Sequence, residues 1–201
     1  MRKIVFATGN KNKTVEIKAI LGEDKFEVVT MKEAGIDVEI VEDGNTFAEN
    51  ALIKARTVAK FTDAIVMADD SGLEIDCLNK EPGIYSARYM GEDTSYELKN
   101  LNLIERVNAA GTDRKARFVC AMAAVLPDKT EISVEGCFEG EIALSPAGEN
   151  GFGYDPIFWV PERGCTSAQL PPEEKNAMSH RGKALRMMAE MLEKRLDSDE
   201  R

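Results

Sequence analysis

Apolar residues recur along the chain in two rhythms. The opening stretch Lys3–Ala7 is a continuous apolar run that stops at Thr8-Gly9-Asn10, which predicts a buried strand entering a tight turn. Ile17, Ile20 and Leu21 then share one side of a helix. A second helix is expected to begin near Thr46, where Thr46 and Glu49 fit a capping box and Phe47, Ala51, Ala55, Val58 and Ala59 keep the helical period. Ile65–Ala68 reads as another buried strand, broken by Asp69-Asp70-Ser71-Gly72. Leu98–Val107 predicts a helix. Phe118–Leu126 is apolar throughout, and Pro127-Asp128-Lys129 turns it into the alternating Ile132/Val134 segment, a hairpin. Ile157–Val160 is a further strand, and a last helix from about Ser179 buries Leu185, Met188, Leu192 and Leu196. Strands and helices that interleave early, with a hairpin later, predict an α/β fold around a mixed sheet. Strand order is not readable from this pattern.

Composition narrows the class. A chain of 201 residues predicts about one domain, taken as residues 1–196, with a charged tail at 197–201 that is expected to fray. Hydrophobic residues make up 43%, too many for disorder, yet no apolar run approaches the ~20 residues that span a bilayer. Too short an apolar stretch follows Met1-Arg2-Lys3 for a signal peptide, so a cytoplasmic location is expected and no membrane partner. Acids outnumber bases 36 to 26, a net charge of −10, which argues against a nucleic-acid polymer as partner. A small anion stays compatible if cations gather locally or a metal helps. Cys77, Cys120, Cys137 and Cys165 form no CxxC pair and predict reduced thiols, and the single histidine, His180, excludes a multi-histidine metal centre.

Five stretches carry candidate chemistry. Thr8-Gly9-Asn10-Lys11-Asn12-Lys13 joins a strand to a helix, where free N–H groups, the helix dipole and two lysines favour an anion. It is not a P-loop, because Ala7 and Asn12 stand where that motif needs glycine. The choice is between a different phosphate cradle and a plain turn with solvated lysines. Asp69-Asp70-Ser71-Gly72 is expected to project carboxylates from a strand's C-terminal end, where open α/β sheets gather ligands. Adjacent acids there would point opposite ways, one able to ligate Mg2+ or activate water, the other bracing the turn; capping duty alone is the alternative. Glu42 and Asp43 are candidates for a second carboxylate, and Lys54, which shares a helical face with Asn50, either reaches a phosphate or stays solvated. In Gly151-Phe152-Gly153-Tyr154-Asp155-Pro156, Phe152 could stack on a flat base while Asp155 accepts from ring N–H groups, or both aromatics could pack inward. Lys175, His180 and Arg181 bring donors toward the start of the last helix.

Taken in order, these stretches resemble the noncanonical purine nucleoside triphosphate pyrophosphatases, the inosine triphosphatase (XTP/dITP diphosphatase) family. The matching residues are Thr8-Gly9-Asn10 with Lys13; Thr46-Phe47, Glu49-Asn50-Ala51 and Lys54; Ala68–Gly72; Pro82–Arg88; Phe152–Pro156; and Ser179–Gly182. The resemblance implies an elongated mixed sheet flanked by helices, two lobes around a central cleft, and a homodimer. It also implies Mg2+-dependent hydrolysis of ITP, dITP and XTP to the monophosphate and pyrophosphate. On this chain it would give phosphate to Thr8–Lys13 and Lys54, and metal to Asp70 with Glu42 and Asp69. Asp70 would also act as proton acceptor, Ser71 would contact substrate, and Phe152–Asp155, Lys175, His180 and Arg181 would grip base and nucleotide. A nucleotide sensor without turnover, and a pyrophosphatase for modified pyrimidine nucleotides, are the competing readings.

Overall fold

The structure, a computed structural model, describes residues 2–21 and 26–199. The chain runs β1 (Arg2–Phe6), α1 (Lys11–Leu21), β2 (Phe26–Thr30), α2 (Phe47–Val58), β3 (Ile65–Ile75), α3 (Tyr96–Ala110), β4 (Lys115–Val125) and β5 (Glu131–Ile142). It continues through β6 (Phe158–Val160), β7 (Cys165–Thr166), α4 (Pro172–Met178) and α5 (His180–Asp199). The sheet has the order β2-β1-β3-β4-β5-β6-β7. β1 pairs in parallel with β2 and β3, while β6 pairs antiparallel with β5 and β7. The α/β class with a mixed sheet therefore holds. By contacts the residues fall into two compact units, one of 1–70, 120–136 and 180–201, the other of 71–119 and 137–179. No helix among the described residues is long and apolar enough to cross a membrane.

In the first unit, alternation along β1 and β3 sends Ile4, Phe6, Ile65 and Met67 to one face. There they meet Ile17 of α1 and Ala184, Leu185, Met188 and Leu192 of α5, joined by Met122 and Ala124 of β4. Each large apolar side chain buried in this way contributes roughly 1.5–3 kcal/mol. Ile20, Leu21 and Leu196 pack at the margin, so the helical stripes predicted for α1 and α5 are the ones used. Thr46 caps α2 by accepting from Glu49 N (3.1 Å), but Glu49 reaches back to Asn45 N (2.6 Å) rather than to Thr46, so the capping box is completed one residue early. The turn after β4 closes with Leu126 N donating to Thr130 O at 2.9 Å.

The second unit has its own core, built from Leu73, Ile75, Leu103, Ile104, Val107, Phe118, Phe138, Ile142, Tyr154, Ile157 and Phe158. Ser95 caps α3, its hydroxyl accepting from Leu98 N. Three short elements, β2, β7 and α4, have no counterpart in the hydrophobic pattern. α5 extends through Asp199, so the charged end expected from 197 is helical to that point and 200–201 lie outside the described residues. All four cysteines are free.

Candidate active site

β3 runs without interruption through Asp69, Asp70, Ser71 and Gly72, which corrects the expected turn. The acids stay in the strand because cations from distant parts of the chain meet them there. Strand alternation gives the two neighbours different surroundings. Asp69, with 1% of its surface exposed, faces α1 and α5. Lys13 Nζ stands 3.0 Å from its Oδ2, and Arg181 donates to the same oxygen through Nε and Nη2, each at 3.4 Å. Arg181 Nη1 also pairs with Glu16. Burial alone would raise the Asp69 carboxyl, but Lys13, Arg181 and Lys54 hold it well below the usual carboxylate range. Beside it, Cys120 Sγ lies 3.9 Å from Asp69 Oδ2, and burial together with that negative charge pushes the thiol up to about 12.

Asp70 faces α2 instead. Lys54 Nζ donates to Asp70 Oδ1 at 3.1 Å and to Glu42 Oε2 at 2.8 Å, bringing two carboxylates to one ammonium. Asn50, one helical turn before Lys54, donates from Nδ2 to Asp70 Oδ2 at 3.2 Å and accepts from Gly44 N at 2.9 Å. That approach requires glycine: a Cβ on Gly44 would lie 2.7 Å from Asn50 Oδ1 and 2.8 Å from Glu49 Cβ. The close docking of residue 44 on α2 is what brings Glu42 to Lys54. Asp43 stays exposed, so of the two candidates Glu42 is the one placed here. Burial raises the Asp70 carboxyl above its ordinary value, helped by Glu42 and only partly opposed by Lys54 and Lys13. For Lys54, burial disfavours the charge, but Asp70, Asp69 and Glu42 outweigh it and the ammonium is strengthened.

The 8–13 segment is more self-contained than a simple cradle. Thr8 Oγ1 accepts from Asn10 N (3.1 Å), and Asn10 Oδ1 accepts from Asn12 N (3.0 Å) and Lys13 N (3.3 Å). Asn10 thus caps α1 and takes two of the amides expected to face a phosphate. Gly9 has no positive φ, and a Cβ there would meet nothing within 4 Å, so the turn itself makes no demand for glycine and the space above residue 9 is open. Lys11 and Asn12 are exposed; Lys13 is engaged with Asp69.

The second unit holds the Gly151–Asp155 turn. Asp155, 3% exposed, accepts from Lys175 Nζ (2.7 Å), Phe152 N (2.8 Å) and Ser167 Oγ (2.9 Å). Lys175 Nζ also sits 5.2 Å from the centroid of the half-buried Phe152 ring, a cation–π contact. Gly151 has φ +74, and a Cβ there would be 2.2 Å from Asp155 Oδ2, so no other residue fits. Tyr154 packs into the core of this unit. Its hydroxyl donates to Ser86 O at 2.6 Å, and burial raises the phenol's pKa.

The model of the Ham1 family matches residues 4–191. The chain belongs to the Ham1 family. A dITP/XTP pyrophosphatase of Vibrio cholerae is 48% identical over 197 residues, covering 96% of this chain and 98% of its own. One from Escherichia coli O157:H7 is 45% identical over 195 residues, with the same coverage on both sides. Among solved structures, a HAM1 protein from Coxiella burnetii aligns with a TM-score of 0.88 at 42% identity, covering 96% of this chain and all of its own. The Staphylococcus aureus Ham1 protein aligns at 0.87 and 43%, with 96% and 100% covered.

In this Ham1 chain several sequence-predicted site residues make contacts that the sequence did not show. Asp69 was a candidate metal ligand; its carboxylate is wholly enclosed and answered by Lys13 and Arg181, so it does not fit that task. Arg181, expected at the base, donates to Asp69 and Glu16. Tyr154, expected at the base, points inward. His180 is buried at the first residue of α5, and Ser71 is half-buried in β3. Asn50 was visible only as the helical neighbour of Lys54, while Glu16, Gly44 and Ser167 carried no local signal.

Among the described residues no group of three or more His, Cys, Asp or Glu gathers as a metal site. Glu42 and Asp70 nonetheless fit Mg2+, which commonly uses one or two protein carboxylates and completes its shell with water and substrate phosphates. The paired groups of this unit point the same way. Lys13, Lys54 and Arg181 are each met by carboxylates, among them Glu16, Glu42, Asp69 and Asp70, so a divalent ion would supply positive charge for a polyphosphate that these paired cations do not.

Proposed function

We propose that this chain hydrolyses the triphosphates of deaminated purines, ITP, dITP and XTP, to the monophosphate and pyrophosphate. The observation that carries the reading is the meeting of Glu42 and Asp70 at Lys54, with Asn50 fixing the second oxygen of Asp70. The relatives named dITP/XTP pyrophosphatases, nearly half identical over almost the full chain, support it. Mg2+ held by Glu42 and Asp70 would neutralise charge on the phosphates. Asp70 takes the proton from the water that attacks the α-phosphorus, and its raised pKa suits it better to that role than an ordinary exposed aspartate. Lys54 orients both carboxylates and stands ready to turn to a phosphate oxygen. Lys11, exposed at the start of α1, adds positive charge where the helix dipole already favours an anion. Positioning and electrostatics of this kind supply most of phosphoryl-transfer catalysis.

Phe152 offers a face for the base, with Asp155 and Lys175 beside it. Hypoxanthine and xanthine present a 6-oxo acceptor and an N1–H donor, which match an ammonium and a carboxylate; adenine presents the reverse. Each mismatched buried polar group costs about 1–3 kcal/mol, so two or more spare ATP. A cytoplasmic location belongs to the same reading, supported by the four free thiols, as does a homodimer, whose mass light scattering measures.

The deciding experiment is pyrophosphate release from ITP, dITP, XTP and dATP, with Mg2+ and after chelation. Mg2+-dependent release from the first three is expected. Binding of dITP without release would make the chain a sensor, and preference for a modified pyrimidine nucleotide would overturn the base assignment.

A further inference from the structure

Phe152 lies between two glycines of positive φ, Gly151 at +74 and Gly153 at +68. Glycine enters that region without steric cost but also leaves it easily, so the ring's direction is only as fixed as the two peptides beside it. On the Gly151 side, Asp155, Lys175 and Ser167 lock the turn. On the Gly153 side, Asn100 of α3, 4% exposed, donates from Nδ2 to Gly153 O at 3.1 Å. Tyr96, one helical turn earlier, sets its ring where a Cβ on Gly153 would be 3.5 Å away, and meets Tyr154 edge-on at 5.2 Å.

The amide of Asn100 makes this contact at a cost. Its Oδ1 is buried with no hydrogen-bond partner among the described residues. Nor can the amide be reversed, since Oδ1 would then face the Gly153 carbonyl.

We propose that Asn100 is a positioning residue, clasping the Gly153 carbonyl so that Phe152 is presented to the purine base. The inference rests on the reading of the Gly151–Asp155 turn as a base platform. Its signature is a split. Recognition of the base depends on Asn100, whereas recognition of the phosphates does not.

The test is titration of inosine monophosphate and, separately, inorganic pyrophosphate into the wild-type protein, Asn100→Ala, Asn100→Asp and Phe152→Ala, with melting temperatures for all four. Asn100→Ala leaves the Gly153 carbonyl without its donor and is expected to melt a few degrees below wild type, a loss that by itself would weaken both ligands alike. Asn100→Asp keeps the shape and replaces the donor with an acceptor. Both should bind inosine monophosphate about tenfold more weakly, the scale of one lost buried hydrogen bond, with pyrophosphate affinity changed by less than about twofold. Wild-type affinity for the monophosphate in both Asn100 variants, or equal loss for both ligands, overturns the inference. Undiminished binding by Phe152→Ala overturns the platform reading itself, and the two failures are thereby told apart.

Discussion

Replacing Asp69 by asparagine should destabilise the fold strongly. The side chain is fully enclosed, with Lys13 at 3.0 Å and Arg181 at 3.4 Å. At an effective dielectric of about 20, an ion pair at 3 Å is worth roughly 5 kcal/mol before desolvation is counted. Removing one member of a buried pair costs about 3–5 kcal/mol, because the remaining charges are left without their partner. For a chain of this size each kcal/mol shifts the melting temperature by about 2–4 °C, so Asp69→Asn should melt roughly 6–20 °C below wild type. Circular dichroism at 222 nm reads this directly. If charge pairing is the cause, Asp69→Asn and Arg181→Met must be strongly non-additive, because once one partner is gone the other has less to lose. A variant melting within about 1 °C of wild type, or additive single and double variants, would refute the reasoning.

Asp70→Asn should instead lower kcat by about 10²–10⁴ while leaving the melting temperature within about 2 °C, since Asp70 is the acid whose burial already disfavours its charge; stopped-time pyrophosphate assays and calorimetry separate the effects. Gly44→Ala drives a methyl to 2.8 Å from Glu49 Cβ and should raise the Mg2+ concentration for half-maximal rate, by moving Glu42 from Lys54. A titration unchanged from wild type removes Gly44 from that role. Cys120, its pKa pushed up to about 12, should resist maleimide at pH 8 in the folded protein while the three partly exposed cysteines react, as intact-mass spectrometry will count.

What was legible in the sequence was whatever depended on near neighbours. The stripe Ile17, Ile20, Leu21, the Thr46 cap and the hairpin after Leu126 are local patterns, and the fold uses each of them. Asp69-Asp70-Ser71-Gly72 misled because its composition is that of a turn. The reason it remains a strand lies in Lys13, Lys54 and Arg181, whose convergence no local window contains. The contacts of Arg181 and Tyr154 were hidden for a related reason. A polar tip beside a ligand motif looks available until its acceptor is known, and Glu16, Asp69 and the Ser86 carbonyl come from other elements. β2, β7 and α4 escaped notice because their five, two and seven residues carry neither the continuous apolar run that marks β1 nor a period long enough to register.

The adjacency of Asp69 and Asp70 in an uninterrupted strand has an evolutionary corollary. One carboxylate serves as a mechanical anchor and its immediate neighbour as a reagent, and which is which depends only on whether a position is odd or even. An insertion or deletion of a single residue between Met67, whose carbonyl is gripped by Ala7, and Asp69 would turn each carboxylate to the other's face and leave one of the two positions without an acid. A change of two residues would restore the faces but carry both carboxylates about 6–7 Å along the strand, out of reach of their cations, so this segment tolerates no change in length.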